Sequence, residues 1–118
     1  MGWSLCQCGN GGQGGGNYTD SIWDGSLVAN TYIDASGNEI SYNDWSSTDY
    51  IDVSGVNTIY YCGNVTSDTE WNYWYDSSKN PLSRLLLSSI ITRPNNAVYV
   101  RFSKTTSEMQ NLKLFTEV

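Results

Sequence analysis

Short segments of alternating apolar and polar residues recur along much of the chain. Every second residue is apolar from Ile51 to Val53 and again from Val98 to Phe102, which is the period of a strand with one buried face. In the second segment Tyr99 and Arg101 take the alternate positions and are predicted to face outward. The residues predicted to face a core are Ile51, Val53, Ile59, Val98, Val100, Phe102, Leu112 and Leu114.

Clusters of turn-forming residues separate these segments at hairpin spacing. Ala35-Ser36-Gly37-Asn38 and Ser77-Ser78-Lys79-Asn80-Pro81 are both typical of turns. The pattern predicts about seven or eight short strands and no helical periodicity. We therefore expect an all-β fold, an antiparallel β-sandwich.

Residues 82–92 are the one ambiguous stretch. Ser83 can cap a helix of about two turns that runs through Leu85-Leu86-Leu87. Against this, Ile90-Ile91-Thr92 is rich in β-branched residues, and Pro94 disfavours a helical conformation at the residue before it. A strand or an extended loop is the prediction.

The start of the chain has a different composition. Residues 9–16 contain six glycines in eight positions and are predicted to form a flexible connector. Before it, Trp3 and Leu5 are expected to form an assembly arm that docks on a neighbouring subunit, with a disordered terminus as the alternative. The predicted domains are this attachment arm with its linker at residues 1–19 and the β-sandwich at residues 20–118.

Two stretches resemble a known type of module. Tyr75-Asp76-Ser77-Ser78-Lys79-Asn80, with residues 93–102 further on, is similar to motifs of the small β-sandwich modules in phage tail-fibre, baseplate and prophage surface-binding proteins. Residues 45–55 resemble the strand that opens these modules. The resemblance spans roughly residues 31–117. It implies a jelly-roll topology and a virion protein, made in the host cytoplasm and extracellular after release.

Charge narrows the class of partner. The formal net charge is −6 and the sequence pI is about 4.2, which disfavours nucleic acids and anionic membranes because both require a basic surface. No apolar run reaches the ~18 residues of a membrane-spanning helix, and no signal-peptide pattern opens the chain. A neutral partner is the expectation.

Three cysteines and no histidine limit the chemistry. An odd number of cysteines cannot pair fully within one chain, so we expect no disulfide framework, synthesis in a reducing compartment and a small buried thiol at Cys62. Zinc sites built from cysteine and histidine are excluded. Loop oxygens at Asp20–Asp24 or Asp76–Asn80 could hold calcium, but neither stretch has EF-hand spacing. The prediction is no metal and no cofactor.

Catalysis has little support. Without histidine the Ser-His-Asp and Cys-His arrangements are excluded, which leaves paired carboxylates as the one hydrolytic device. Asp44, Asp49 and Asp52 are close in sequence, but acids in loops ordinarily cap turns, and so small a sandwich has little wall for a deep cleft. The protein is not expected to be an enzyme.

Saccharide binding is favoured by the residue types present. Nine Tyr and five Trp against two Phe supply rings that stack on sugar C–H faces, while Asp, Asn and Arg can bond the hydroxyls. For each aromatic the alternative is core packing, and Arg101 could instead pair with a carboxylate. The predicted ligand-binding residues are Trp45, Trp71, Tyr75, Asp76, Tyr99 and Arg101.

Two functions follow from these features. The first is a non-catalytic module that binds a neutral cell-surface glycan as part of a phage fibre or baseplate. The alternative is a structural virion subunit, such as a head fibre, decoration or baseplate protein, whose aromatic faces are buried between subunits. Both predict a homo-oligomer joined to other virion subunits through its N-terminal arm.

Overall fold

The computed structural model describes residues 18–19, 22–65 and 71–117. The predicted arm residues Trp3 and Leu5 lie outside these ranges. Eleven strands and one short helix occur in the described part of the chain: β1 (Tyr18–Thr19), β2 (Leu27–Ile33), β3 (Glu39–Thr48), β4 (Ile51–Asp52), β5 (Thr58–Cys62), β6 (Tyr73–Tyr75), β7 (Pro81–Arg84), β8 (Ile90–Thr92), β9 (Tyr99–Arg101), β10 (Ser103–Thr105), α1 (Thr106–Gln110) and β11 (Lys113–Glu117).

Eight of these strands form two antiparallel four-stranded sheets. We call them the β5 sheet, with strand order β1-β11-β5-β8, and the β6 sheet, with strand order β4-β9-β6-β7. Numbered along the chain, the eight strands pair as first-eighth-third-sixth and second-seventh-fourth-fifth, which is the order of a jelly roll. The predicted all-β, antiparallel sandwich is confirmed. Because β1 pairs with β11, the sandwich begins before the predicted boundary at residue 20.

The core lies between the two sheets and follows the alternation in the sequence. Seven of the eight residues predicted to face inward are buried; Val98, which precedes β9, is half-buried. Of the two neighbours Tyr73 and Trp74, it is Trp74 that packs in this core. The opposite face of β6 therefore carries Tyr73 and Tyr75.

A third sheet, with strand order β10-β3-β2, continues the β6 sheet. β3 leads into β4, and β9 leads into β10. The two connections are hydrogen-bonded to each other, because the Thr48 amide donates to the Phe102 carbonyl at 2.8 Å. The Phe102 amide donates in return to the Thr48 hydroxyl at 3.0 Å. The β2–β3 hairpin is therefore an extension of the sandwich, anchored at its base.

Residues 82–92 are extended, as predicted: they comprise most of β7, a loop and β8. The helical alternative for this stretch is wrong. The short helix α1 was not predicted, since five residues are too few for a helical period to show. No helix in the described part of the chain is long and apolar enough to cross a membrane.

Cys62 corrects an expectation. The residue is buried, with 6% of its surface exposed, but it is disulfide-bonded and is not the free thiol that the odd cysteine count suggested. The partner lies outside the described residues. An odd count leaves at least one cysteine unpaired within a chain, but it does not prevent a single bond.

Candidate functional site

Four aromatic rings line one pocket on the surface of the protein, which we call the aromatic pocket: Tyr32, Tyr42, Trp45 and Trp71. Its volume is about 190 Å³. The Tyr32 ring is in the middle of the group, with centroids 5.1 Å from Trp71, 5.4 Å from Tyr42 and 6.2 Å from Trp45. All three contacts are edge-to-face, a favourable arrangement for aromatic pairs that holds the rings in place.

A large irregularity in the β2–β3 hairpin builds this pocket. Ala29 pairs with Ser46 and Thr31 pairs with Ser41, so a single residue of β2 lies opposite residues 42–45 of β3. Such a bulge bends the strand and redirects its side chains. Strict alternation would place Tyr42 and Trp45 on opposite faces, yet their ring centroids are 6.3 Å apart.

Strained backbone marks the same irregularity. Asn30 and Asp44 both have positive φ, 59° and 69°, a conformation that costs a non-glycine residue roughly 1–3 kcal/mol. Asn and Asp tolerate it best. One residue on each strand of the bulge thus adopts the left-handed backbone conformation, and this bend brings Tyr42 and Trp45 together.

Trp71 contributes an unsatisfied polar group. Its indole Nε1 is buried and has no hydrogen-bond partner among the described residues. A buried donor without an acceptor costs about 1–3 kcal/mol.

A polar depression adjoins the aromatic pocket at the bulge. It is wider, about 710 Å³, and shares Tyr42 with the pocket. Tyr42 is 55% exposed, so much of its side chain is accessible to solvent. The other residues lining the depression are Ala29, Asn30, Thr31, Ser41, Asn43 and Asp44. Amide, hydroxyl and carboxylate groups therefore lie beside an exposed ring.

Three of the other predicted site residues, Tyr75, Tyr99 and Arg101, lie in a different cluster, on the outer face of the β6 sheet. The expectation that Arg101 faces solvent is wrong: it is 3% exposed, and Tyr75 is 1% exposed. Tyr99 is half-buried. Cross-strand pairing of Tyr75 with Tyr99 and of Tyr73 with Arg101 places them together. Burial leaves Tyr75 and Arg101 almost no surface for a ligand.

The tip of the β2–β3 hairpin covers this cluster. The Tyr75 hydroxyl donates to the Gly37 carbonyl at 2.8 Å, and burial raises the pKa of that hydroxyl. Arg101 donates from Nη2 to Glu39 at 2.7 Å and from Nε to the Thr48 carbonyl at 2.8 Å. The pairing of Arg101 with a carboxylate, left open by the sequence, is therefore present, and its partner is Glu39.

Tyr50 completes the cluster and connects it to two cations. Its ring centroid is 4.9 Å from that of Tyr75 and 6.0 Å from that of Tyr99. The Arg101 guanidinium lies 4.7 Å from the Tyr50 ring, and the Lys79 ammonium lies 5.0 Å from it. These cation–π contacts stabilise the packing of the cluster.

Asp76 has a local structural role. Its Oδ1 accepts hydrogen bonds from the amides of Ser78 and Asn80, both at 2.9 Å, and these bonds lower the pKa of the carboxyl. The turn at residues 34–38 is built in the same way, with Asp34 Oδ1 accepting from the amides at 36 and 38. Asp76 is therefore one of two equivalent turn-capping aspartates, away from the aromatic pocket.

A third depression contains carboxylates. Asp24, Asp49 and Asp52 line it together with Trp23 and Tyr50. Each carboxylate accepts a hydrogen bond from a backbone amide one or two positions later in the chain. Such local bonds are typical of acids in turns. No group of three or more His, Cys, Asp or Glu side chains suited to a metal ion occurs in the described ranges.

The structure thus brings together two of the six predicted residues, Trp45 and Trp71, and adds Tyr32 and Tyr42. Sequence reasoning missed both tyrosines. Tyr32 lies opposite Ile40 in the hairpin register, and Tyr42 follows Ile40 by two residues. Tyr32 and Tyr42 are therefore diagonal neighbours on one face of the hairpin. Two tyrosines at these positions on either side of a predicted turn were the signal in the sequence. Comparison of the chain with protein-family models, with curated proteins and with solved structures finds no match.

Proposed function

We propose that this protein is a non-catalytic binding module whose aromatic pocket recognises a neutral saccharide. The observation that carries the proposal is the convergence of Tyr32, Tyr42, Trp45 and Trp71 at one strained bulge. Buried hydrophobic cores do not need such a bulge, and strained backbone that persists is often part of a binding site. The virion setting, a fibre or baseplate, rests on the resemblance of the motifs alone.

The chemistry of the site suits a sugar ring. A pyranose has a flat C–H face that stacks on an aromatic ring, and here the exposed side chain of Tyr42 is the ring available for it. Its hydroxyls would reach Asn30, Asn43 and Asp44 in the adjoining depression. The acidic protein repels anionic polymers but is indifferent to a neutral ligand.

Affinity at one site is expected to be low. The aromatic pocket is smaller than the ~300–1,000 Å³ typical of sites for drug-sized ligands, whereas the adjoining open depression lies within that range. A ring contact contributes about 0.5–1.5 kcal/mol beyond its burial. Useful attachment would come from many copies of the module on one particle.

The test is glycan binding by the isolated protein, followed by titration of any saccharide that binds. Tyr42→Ala should weaken binding about tenfold. It should also lower the free energy of unfolding by about 1–3 kcal/mol, because it removes the ring contacts with Tyr32 and Trp45, so binding is measured at a temperature at which both proteins are folded. The control is Leu86→Ala, which removes an exposed apolar side chain (73%) outside the pocket. Equal affinities for the wild type and Tyr42→Ala would contradict the proposal.

A structural virion subunit is the second candidate, and one observation favours it. Leu86 and Ile90 are exposed by 73% and 60% and lie close together in the chain, and exposed apolar residues that cluster are the kind of surface that a subunit interface covers. If this function is correct, no saccharide binds and the same residues become protected from solvent in the assembled particle.

A further inference from the structure

We infer that the free edge of the β5 sheet, strand β8, is the surface on which a second copy of this chain docks. The inference is independent of the saccharide site. It rests on the backbone of β8, the exposed side chains along it and the distribution of charge.

The backbone of β8 presents unused hydrogen-bonding groups. β8 pairs with β5 on one side and is the last strand of its sheet. The Ser89 carbonyl and the Arg93 amide point toward β5, where they bond Tyr61 and Asn57. By alternation, the backbone groups of residues 90 and 92 point away from the sheet.

Little in the described residues occupies those outward groups. Within the described ranges, their one contact is a long hydrogen bond of 3.3 Å from the Ile90 amide to the hydroxyl of Ser88. The Ile90 carbonyl and both backbone groups of Thr92 have no hydrogen-bond partner among the described residues.

The side chains along this edge are apolar and exposed. Ile90 is 60% exposed on β8, and Leu86 is 73% exposed in the loop that leads to it. Exposed strand edges are usually protected by a charge, a proline or a bulge. The edge strand β7 of the β6 sheet has such protection, since it begins at Pro81 and ends at Arg84. Residues 90–92 of β8 contain neither a charge nor a proline, although Arg93 and Pro94 follow directly.

Charge indicates that the partner is a second copy. Residues 85–92 carry no charged side chain, in a chain whose net charge is −6. Two identical acidic molecules repel each other over most of their surfaces, so a neutral strip is where they can approach. A pair related by a two-fold axis places the same strip on both sides.

The geometry of such a pair is determined by the register. Antiparallel pairing of β8 with its copy across a two-fold axis at Ile91 sets Ile90 of one molecule against Thr92 of the other, and each such pair exchanges two backbone hydrogen bonds. The two β5 sheets become one continuous sheet of eight strands. Because β8 has only three residues, the dimer should be weak and dependent on concentration.

Sedimentation velocity of the full chain tests the inference, between about 10 μM and about 1 mM protein, a range that covers weak dissociation constants. The molar mass should rise from 13.2 kDa toward twice that value. Ile90→Lys, which puts a charge on the edge, should raise the dimer dissociation constant at least tenfold. Ser83→Lys, the same charge on the exposed face of β7, should leave it unchanged.

Thr92→Pro provides a second variant, which keeps the test decisive if Ile90→Lys does not fold. It removes an amide that points away from β5, and proline is tolerated at such edge positions. It too should weaken the dimer. A wild-type protein that stays at 13.2 kDa at every concentration, or a Ser83→Lys variant as impaired as Ile90→Lys, would overturn the inference.

Discussion

The hydroxyl of Tyr75 donates a hydrogen bond to the carbonyl of Gly37 at 2.8 Å and so fastens the hairpin tip to the β6 sheet. Both groups are buried. Tyr75→Phe keeps the ring and leaves the carbonyl without its donor, so the free energy of unfolding should fall by about 1–3 kcal/mol in urea denaturation. Tyr73→Phe is the control, because its hydroxyl bonds no described residue; a change as large there would show that the Tyr75 bond is not responsible.

Gly37 should not tolerate a side chain. Its φ is +84°, and an added Cβ would lie 2.8 Å from the Pro81 Cβ and 2.8 Å from a Tyr73 ring carbon. Gly25 has a similar φ of +90° with no atom within 4 Å, so Gly25→Ala measures the backbone cost alone, about 1–2 kcal/mol. Gly37→Ala should cost a further ~1–3 kcal/mol for overpacking, measured by thermal or urea unfolding. Equal losses of unfolding free energy in the two variants would mean that the hairpin tip at Gly37 can shift away from Pro81 and Tyr73 at no cost.

The ion pair of Arg101 with Glu39 should be energetically coupled. The Arg101 side chain is 3% exposed and the Glu39 side chain is 42% exposed. The guanidinium charge of Arg101 is therefore shielded from water and is compensated by the Glu39 carboxylate. A double-mutant cycle of Glu39→Gln and Arg101→Met should give a coupling energy of at least about 1 kcal/mol in urea unfolding. A coupling near zero, as in exposed ion pairs, would contradict the arrangement seen here.

Acid should destabilise the protein through carboxylates that accept hydrogen bonds. Bonds from the Thr105 hydroxyl and the Asn64 amide lower the pKa of Glu108. A carboxyl with a lowered folded pKa stabilises the fold above its unfolded pKa of about 4.3, and this contribution is lost as pH falls toward the folded pKa. The thermal midpoint should therefore decrease between about pH 5 and about pH 3, and decrease less in Glu108→Gln. Ser107→Ala, which removes no titratable group, should keep the wild-type pH dependence; an unchanged profile in Glu108→Gln would refute the assignment.

The disulfide at Cys62 should be detectable chemically. When the protein is unfolded without reductant and alkylated, the peptide that contains Cys62 should remain unlabelled, and prior reduction should label it. Breaking the bond should lower the free energy of unfolding by about 2–4 kcal/mol. Labelling of Cys62 without reductant would show a free thiol.

The sequence determined the strands and the core. Period-two alternation identified inward residues such as Ile59, Val100 and Leu114, because the sandwich buries one face of each strand and side chains alternate between faces. The Asp76 turn was also visible locally, since its residues form their own hydrogen bonds. These features depend on near neighbours in the chain.

Only the tertiary structure decided which side chains form the candidate site. The bulge at residues 42–45 breaks the alternation and turns Trp45 toward Tyr42, and no local pattern reveals where a strand changes its register. The covered outer face of the β6 sheet is equally non-local. Arg101 alternates as an exposed residue should, but the hairpin tip that carries Gly37 and Glu39 lies over it. Period two assigns a residue to a face of a sheet; what packs on that face depends on contacts between distant segments.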